Sequence, residues 1–344
     1  MKVTILSGGL SCERDAALCG STYVADALRN LGHKVALVDM YIGIEDYPGS
    51  TIEDLFSLPI PEKWRYVNPV TPNLQDIELS RVMKSNCKLG AGVFELLQMS
   101  DVVFLGVGGE FGEDGRIQGM LDILGIPYTG SRHTGAAIAI DKTLTKEIVQ
   151  MHNVLTSEWK ELSGSESSIV ENIKSFGIPC VIKNPTGGSS IGTFIIHEER
   201  ELCNAVHECL KLNNKVLVER FINGREFTCG VLDDRPLPSV EIITNAHDYQ
   251  NKYVNEIKEV CPAQIPSDIE SRIQSAALTV HKSLRLSSFS RSDFILTENE
   301  EIYFLECNVT PGLTPRSLLP KEAKAVGINY ESLCSIMLNS AFKK

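Results

Sequence analysis

Two acidic residues and an asparagine are predicted to share one face of a β-hairpin near the C-terminus. Two short apolar runs flank a polar turn at 297–300, a pattern typical of paired antiparallel strands. A turn centred in that segment places Asp293 opposite Glu306. Further from the turn, Arg291 faces Asn308, and the alternation of side chains puts both pairs on the same face. The other face is predicted to pack in the core through Phe294, Leu296, Tyr303 and Leu305.

The acidic pair predicts a cation site. Carboxylates that oppose each other across two strands repel, so the pair needs compensation. Carboxylate and amide oxygens are the ligands that Mg²⁺ takes when it is shared with substrate phosphates. Two alternatives stay open: Arg291 alone neutralises the pair in a structural ion network, or a bulge in either strand breaks the register. Directly afterwards Thr310-Pro311-Gly312 turns the chain, and Gly312 lets the backbone approach a ligand.

Two lysines and a glycine-rich loop add the parts of a phosphate site. Lys142 begins a predicted helix, and Lys183 ends a predicted strand. The loop at 184–192 joins that strand to another at 193–196. It lacks the ending of a P-loop, but its backbone N–H groups and hydroxyls can fold over phosphates; the alternative is a simple hairpin turn. With the acidic hairpin and Arg291, these residues predict phosphoryl transfer from a nucleotide, which depends mainly on positioning and charge.

The N-terminal elements predict a parallel sheet. A strand at 2–8, a double-glycine turn, a helix capped by Ser11 and a strand at 34–39 form a βαβ unit. Residues 41–85 contain five prolines and are predicted to be rich in loops.

The later elements are predicted to be mixed. Asn223-Gly224 indicates a hairpin between strands at 215–221 and 226–232. The polar segment at 247–253 is a candidate lid over the substrates. An amphipathic helix is predicted at 266–285.

Composition excludes two classes of partner. The 344 residues carry a net charge of −11, which argues against nucleic acid because its binding needs a basic surface. No apolar run approaches the roughly 18 residues of a membrane span, and the N-terminal run is too short for a signal peptide. The ten cysteines lack the spacing of a zinc site. They are predicted to be reduced, mostly small core residues of a cytoplasmic protein.

Eight motifs occur in the order that is typical of a known family. They are GGLSCERD (8–15), GEDGRIQGMLDILGIPYTGS (112–131), DKTLTK (141–146), IKNPTGGSSIG (182–192), ERFINGREFT (219–228), DYQNKY (248–253), RSDF (291–294) and ECNVTPGLTPRSLLP (306–320). Over almost its whole length the chain resembles the D-alanine–D-alanine ligases of the ATP-grasp superfamily.

The resemblance implies an α/β fold of the ATP-grasp class with three domains. Residues 1–130 would form a parallel α/β domain that contacts the first substrate. Residues 131–219 would form the central domain with the phosphate loop. Residues 220–344 would carry the metal site, the lid and an oxyanion hole. ATP would lie between the second and third domains as a co-substrate, with two Mg²⁺ ions (Mn²⁺ as the alternative) and amino acids as substrates, in a cytoplasmic homodimer.

The resemblance also implies a role for each site residue. ATP would be held by Lys142, Lys183, Gly188, Ser190, Glu219, Ile222, Glu226 and, from the lid, Lys252. Mg²⁺ would be held by Asp293, Glu306 and Asn308. Catalytic roles would belong to Glu13, which binds the first ammonium group, to Ser189 and Tyr253, which tie helix, loop and lid together, and to Arg291 and Gly312, which form the oxyanion hole. The carboxylate of the second substrate would contact Ser317 and Leu318.

The implied reaction makes D-alanyl-D-alanine for peptidoglycan precursor synthesis. The carboxylate of the first amino acid attacks the γ-phosphate to give an acylphosphate, and the amine of the second amino acid then displaces phosphate. Tyr253 beside Lys252 resembles the versions that use D-alanine rather than D-lactate as second substrate.

Three positions near the first-substrate pocket depart from the family pattern. Gly108 stands where a histidine is usual, and Ala16 and Ala17 stand where a small apolar residue and a serine are usual. These changes predict a larger, more neutral pocket that admits amino acids bulkier than D-alanine. A related ligase that joins other amino acids is therefore an alternative. A non-catalytic nucleotide-binding protein is another, disfavoured by the complete set of metal ligands, lysines and arginine.

Overall fold

The computed structural model describes residues 1–68, 70–188, 191–243 and 258–343. Within these ranges the chain forms three β-sheets, each with its own helices and its own hydrophobic core.

The first sheet is parallel, with strand order β2-β1-β3. Its strands and the N-terminal helices are β1 (Lys2–Ser7), α1 (Arg14–Asn30), β2 (Lys34–Asp39), α2 (Leu74–Ser80), α3 (Val93–Gln98), β3 (Val102–Gly106) and α4 (Arg116–Leu124). The strands are almost wholly buried because helices cover a parallel sheet on its faces. The predicted βαβ unit is confirmed, and the segment between β2 and β3 is mostly loops and short 3₁₀ turns.

The second sheet is antiparallel, with strand order β4-β7-β5-β6. Its elements are β4 (Trp159–Ser163), α7 (Glu166–Phe176), β5 (Cys180–Lys183), β6 (Thr193–Ile196), α8 (Leu202–Leu212) and β7 (Lys215–Arg220). Helices α7 and α8 pack together and bury one face of the sheet through residues such as Ile169, Ile173 and Val206. The two strands predicted on either side of the glycine-rich loop are confirmed, and they pair antiparallel with each other.

The third sheet is antiparallel, with strand order β11-β10-β8-β12-β13 and β9 paired to β8. The strands are β8 (Arg225–Leu232), β9 (Arg235–Pro236), β10 (Val240–Ile243), β11 (Lys258–Val260), β12 (Phe289–Leu296) and β13 (Ile302–Asn308). Three helices share its core: α5 (His133–Ile140), α6 (Lys142–Met151) and α9 (Ser267–Ser283). Helix α9 has acids in its first turn and basic residues in its last, which suits the helix dipole.

The C-terminal helices return to the first sheet. Helices α10 (Leu318–Ala325) and α11 (Tyr330–Ser340) bury Leu319, Leu333 and Met337 in the same core as the first sheet. The C-terminal helices therefore pack against the N-terminal part of the chain, and the loop before α10 lies between the first and third sheets.

Two local predictions are wrong. Asn223-Gly224 does not turn a hairpin, because β7 belongs to the second sheet whereas β8 pairs with β10 and β12 in the third. Ser11 does not cap α1, since Glu13 occupies the N-cap position and the Ser11 hydroxyl donates to the carbonyl of Gly108 at 2.9 Å. In both places a contact distant in sequence replaces the local one.

The ten cysteines form no disulfide, and six of them are buried, as predicted for small core residues. Across the described ranges, no helix combines the length and apolarity needed to cross a membrane.

Candidate active site

One large cavity, with a volume of about 1220 Å³, opens between the three sheets. It is lined by every predicted site residue that the structure describes: Glu13, Lys142, Lys183, Gly188, Glu219, Ile222, Glu226, Arg291, Asp293, Glu306, Asn308, Gly312, Ser317 and Leu318. The other four predicted residues, Ser189, Ser190, Lys252 and Tyr253, lie outside the described residues. Residues from both ends of the chain thus meet around one space.

The register predicted for the acidic hairpin is confirmed. Strands β12 and β13 pair Asp293 with Glu306 and Arg291 with Asn308. A bulge follows between Asp293 and Phe294, on the side of the turn. Because the bulge lies beyond the polar residues, it leaves the two facing pairs intact.

The same bulge overturns part of the predicted core face. Phe294 pairs with Phe304, and their ring centroids lie 6.0 Å apart in an edge-to-face contact. Phe304 is fully buried, whereas Tyr303 and Leu305 are only partly buried, and Leu305 lines the cavity. The prediction that Tyr303 and Leu305 belong to the core is wrong, because an extra residue in one strand inverts the alternation.

Two cations compensate the acidic pair, not Arg291 alone. The Arg291 Nε donates to Asp293 Oδ1 at 3.3 Å, and the Asn308 amide donates to Asp293 Oδ2 at 3.3 Å. The ammonium group of Lys142 lies 3.4 Å from Glu306 Oε2. Each acid therefore has its own positive neighbour, and the repulsion across the strands is offset.

The charges around Glu306 favour its ionised form. Burial alone would raise the pKa of Glu306, but the charges of Lys142 and Lys183 lower it below the ordinary value. Within the described ranges, no three or more His, Cys, Asp and Glu side chains cluster as metal ligands. A metal at the hairpin would thus depend on two carboxylates and the Asn308 amide oxygen, a hard-oxygen set that suits Mg²⁺.

A buried lysine–glutamate–lysine triad lies at the second sheet. Glu219 on β7 lies 2.8 Å from the ammonium group of Lys183 on β5 and 2.9 Å from that of Lys146 on α6. All three residues are buried. Burial alone would raise the pKa of Glu219, but the charges of Lys146 and Lys183 lower it to about 2.

The glycine-rich loop is held by its own side chains and by helix α6. The Asn184 side chain accepts from the N–H of Thr186 at 3.2 Å and donates to its carbonyl at 3.0 Å. The ammonium group of Lys142 donates to the carbonyl of Gly187. A Cβ atom at Gly188 would lie 2.7 Å from Glu13 Oε1, so the absence of a side chain there lets the loop approach the first domain.

Comparison with known proteins identifies the family. The profile described as "D-ala D-ala ligase N-terminus" matches residues 2–131, and that described as "D-ala D-ala ligase C-terminus" matches residues 142–339. The chain belongs to the D-alanine–D-alanine ligase family. The family that the sequence motifs indicated is thereby confirmed.

Individual relatives match over the full length. A D-alanine–D-alanine ligase of Pediococcus pentosaceus is 36% identical over 98% of this chain and 97% of its own. One from Clostridium botulinum is 31% identical over 100% of this chain and 99% of its own.

Solved ligases of the family share the ATP-grasp fold. The D-alanine–D-alanine ligase of Bacillus anthracis complexed with ATP has a TM-score of 0.75 at 24% identity, covering 100% of this chain and 98% of its own. The VanG D-Ala:D-Ser ligase of Enterococcus faecalis has a TM-score of 0.76 at 25% identity, covering 99% of each chain. The predicted fold class is thus confirmed.

At the end of the cavity nearest the first sheet, Glu13 occupies the space that a side chain at position 108 would need. A Cβ atom at Gly108 would lie 2.7 Å from Glu13 Oε2. Ala16 and Ala17 line the same part of the cavity. The glycine therefore makes room for a carboxylate rather than leaving an empty pocket.

A second carboxylate, Glu113, lies near Glu13. It accepts from the backbone N–H of Gly109 at 2.8 Å and from that of Thr310 at 3.1 Å. Burial and then the charge of Glu13 raise the pKa of Glu113 to about 7. The sequence pattern does not single out Glu113, because a glutamate shortly before a helix is typical of an ordinary helix start.

At the other end, the loop before α10 offers donors for an anion. Ser317 is the N-cap residue of α10, and its hydroxyl accepts from the N–H of Thr314 at 3.1 Å. Leu318 is the first helical residue, and Gly312 lies close enough that an added Cβ would be 3.0 Å from Ser317 Oγ. Free N–H groups at a helix N-terminus favour a carboxylate or phosphate.

Lys146 is the site residue that sequence analysis missed. It lies four residues after Lys142, and this spacing puts both side chains on one face of α6. The signal in the sequence was therefore the spacing within DKTLTK, although nothing local reveals that the second lysine meets Glu219.

Proposed function

We propose that the protein joins two D-alanines to D-alanyl-D-alanine at the expense of ATP, through an acylphosphate. The observation that carries this proposal is the cavity, where lysines for phosphates, an acidic hairpin for a metal and an arginine for an oxyanion line one space. The names of the full-length relatives support it.

In this proposal ATP lies between the second and third sheets. Lys142 and Lys183 neutralise its phosphates, and the loop at Gly188 covers them. Glu219, Ile222 and Glu226, which line the cavity near the junction of β7 and β8, hold the adenosine. The oxygen donors of Asp293, Glu306 and Asn308 fit Mg²⁺, with Mn²⁺ as the alternative, and two such ions would add positive charge at the transferred phosphoryl group.

The first half-reaction transfers a phosphoryl group. Glu13 holds the ammonium group of the first D-alanine, so that its carboxylate points toward the γ-phosphate. A carboxylate oxygen bonds to the γ-phosphorus while the bond from that phosphorus to the bridging oxygen breaks. ADP leaves, and an acylphosphate remains.

The second half-reaction forms the peptide bond. The N-terminus of α10, with Ser317 and Leu318, binds the carboxylate of the second D-alanine. Its amine attacks the acyl carbon, and the developing oxyanion accepts hydrogen bonds from Arg291 and the N–H of Gly312. Phosphate leaves with the bonding electrons of the C–O bond, and the proton that the attacking amine loses goes to the departing phosphate.

Four assignments concern residues outside the described ranges. Ser190 and Lys252 are proposed to contact the nucleotide, Lys252 at the γ-phosphate. Ser189 and Tyr253 are proposed to tie Glu13, the loop and the lid together. These stay predictions, as do the domain limits 1–130, 131–219 and 220–344.

We also infer the setting of this reaction from the family resemblance. The product would serve peptidoglycan precursor synthesis, and with it cell-wall formation and cell shape, in the cytoplasm. The working unit would be a homodimer.

A second candidate is a ligase that takes a different first amino acid. Gly108, Ala16 and Ala17 favour it, since all three line the cavity and Gly108 lies directly beside Glu13. In this candidate the first amino acid is bulkier than D-alanine, and Glu13 still holds its ammonium group.

Mass spectrometry of the product separates the two candidates. Purified protein is incubated with ATP, Mg²⁺ and an equimolar mixture of D- and L-amino acids. We expect D-alanyl-D-alanine as the dominant product, with ADP formed in equal amount. A different dipeptide supports the second candidate, and ADP formation that does not depend on amino acids contradicts both.

A further inference from the structure

Lys146 is buried differently from the two lysines that line the cavity. Its side chain is 0% exposed, whereas those of Lys142 and Lys183 are 9% and 10% exposed. Its ammonium group contacts the hydroxyl of Thr156 as well as Glu219. Lys146 therefore has no surface on the cavity and cannot follow a ligand that enters it.

Lys183, unlike Lys146, lines the cavity and can reach a ligand there. It ends β5 at the edge of the cavity, and a lysine carries a compact charge on a flexible stem. A nucleotide triphosphate brings several negative charges into the cavity and attracts this ammonium group. When Lys183 moves toward the phosphates, Glu219 keeps Lys146 as its partner, and its Oε2 loses the ion pair that it now makes.

An unpaired carboxylate oxygen in a buried position needs a new donor. Once Lys183 leaves, that oxygen is Glu219 Oε2, whereas Oε1 keeps its ion pair with Lys146 and accepts no other hydrogen bond within the described part of the chain. An ionised carboxylate can only accept hydrogen bonds. The amine at the six-position of adenine can donate a hydrogen bond to the Glu219 carboxylate. Guanine carries a carbonyl oxygen at that position, and the carboxylate repels it.

We propose that Lys146 is a positioning residue that keeps the Glu219 carboxylate charged and in place while Lys183 turns to the phosphates, and that it thereby sets the preference for adenine over guanine. This inference rests on the nucleotide-binding part of the proposed function and not on the ligation step. Removing Lys146 leaves a buried glutamate that takes up a proton once Lys183 leaves. A protonated carboxyl group can donate to guanine as well as accept from adenine, so the discrimination falls.

Calorimetric titration with non-hydrolysable analogues of ATP and GTP, in Mg²⁺ and without amino acids, measures this preference directly. We expect Lys146→Met to reduce the ratio of ATP to GTP affinity by roughly tenfold or more, because hydrogen bonds to charged groups are the stronger ones. The matched control is Lys160→Met, which removes a lysine from the exposed side of β4 in the same sheet. The control should keep the ratio of the unmodified protein.

A double-mutant cycle with Glu219→Gln tests whether Lys146 acts through Glu219. A glutamine amide both donates and accepts, so this variant should lose the preference by itself. Adding Lys146→Met to it should then change the ratio by less than twofold or so, since coupled residues are not additive. The double variant also removes the buried unpaired charge, so it keeps the test available if Lys146→Met alone folds poorly.

Other outcomes overturn the inference. If Lys146→Met weakens the binding of both analogues equally, or leaves both affinities as they were, the ratio is unchanged and Lys146 has no part in base selection. If the unmodified protein itself shows no preference for adenine, the inference is also wrong. Failure of the ligation proposal is distinguishable, because the protein would then show this nucleotide preference and still form no dipeptide.

Discussion

Glu219 and Glu322 are both buried glutamates, yet their surroundings favour opposite charge states. Glu219 lies between two lysine ammonium groups at 2.8 and 2.9 Å, and its pKa falls to about 2. Glu322 on α10 accepts from the backbone N–H of Gly230 at 2.9 Å. Burial raises its pKa to about 8, although the charge of Arg291 opposes this shift.

The difference shows which buried carboxylates stay ionised in this fold. Burial penalises both carboxylates, and only a cation in direct contact reverses the penalty. In the cavity, cations that a polyanionic ligand can attract also keep the acids ionised before it arrives. At the contact between α10 and the third sheet no ligand is expected, and the carboxyl group is accommodated near neutrality instead.

The largest expected effect comes from Arg291, which lies between the two regions. Arg291→Lys keeps the positive charge but loses the planar fork that pairs with Asp293 and would donate to the oxyanion. We expect the rate of dipeptide formation at saturating substrates to fall roughly a hundredfold. Phosphate release measures it, with Arg272→Lys on the exposed side of α9 as the control. A normal rate would mean that the planar guanidinium group of Arg291 is not needed to donate to the oxyanion.

Lys183→Met removes one of the two cations around Glu219. We expect the KM for ATP to rise roughly tenfold or more, since a charge-assisted contact with phosphate is lost. The pKa of Glu219 should also rise, because one of the charges that lower it is gone. Steady-state kinetics with varied ATP tests this, and Lys174→Met on the exposed side of α7 is the control. An unchanged KM would place the phosphates elsewhere.

Glu322→Gln tests the comparison through the pH dependence of the free energy of unfolding. The carboxyl pKa is about 8 in the folded protein and about 4.5 when unfolded, so the folded state binds the proton more tightly. Stability therefore falls as pH rises from about 4.5 to about 8, by up to roughly 1.4 kcal/mol per pH unit. The glutamine variant lacks this loss.

Urea unfolding at pH 5 and pH 8.5 measures the effect of Glu322→Gln. The variant should gain stability relative to the unmodified protein at the higher pH, whereas Glu298→Gln at the exposed hairpin turn should follow the unmodified protein. Parallel pH dependence of all three proteins would mean that Glu322 is ionised like Glu219.

Glu113 is intermediate between the two cases, and its effect is the smallest. Its raised pKa of about 7 means that it gains negative charge as pH rises from 6 to 8. An ammonium group held by Glu13 should then bind more tightly, by roughly fivefold. Glu113→Gln should abolish this change in the KM of the first amino acid, and Glu110→Gln, an exposed neighbour, should retain it. If this KM depends on pH in the same way in all three proteins, Glu113 does not affect the binding of the first substrate.

More of the site could be predicted from the sequence than of the way in which the strands connect and pair. The facing pairs Asp293–Glu306 and Arg291–Asn308 followed from strand alternation alone, because they lie before the bulge. Beyond the bulge the same rule failed for Leu305. The strong local turn signal at Asn223-Gly224 failed too, because the strands on either side of it belong to different sheets. The first error arose because a bulge shifts the alternation within one hairpin, and the second because each strand pairs with partners distant in sequence.

The sequence by itself determined the family, the parallel first sheet, and the polar face of the acidic hairpin, because the motifs are local and the alternation of side chains is regular on the polar side of the bulge. Only the tertiary structure decided that Lys146 meets Glu219, that Glu13 fills the space beside Gly108, and that Glu322 is buried with no cation of the described residues in contact. These depend on where three sheets come together. Charge and burial act through space, so their balance at a side chain is set by neighbours that the linear order does not name.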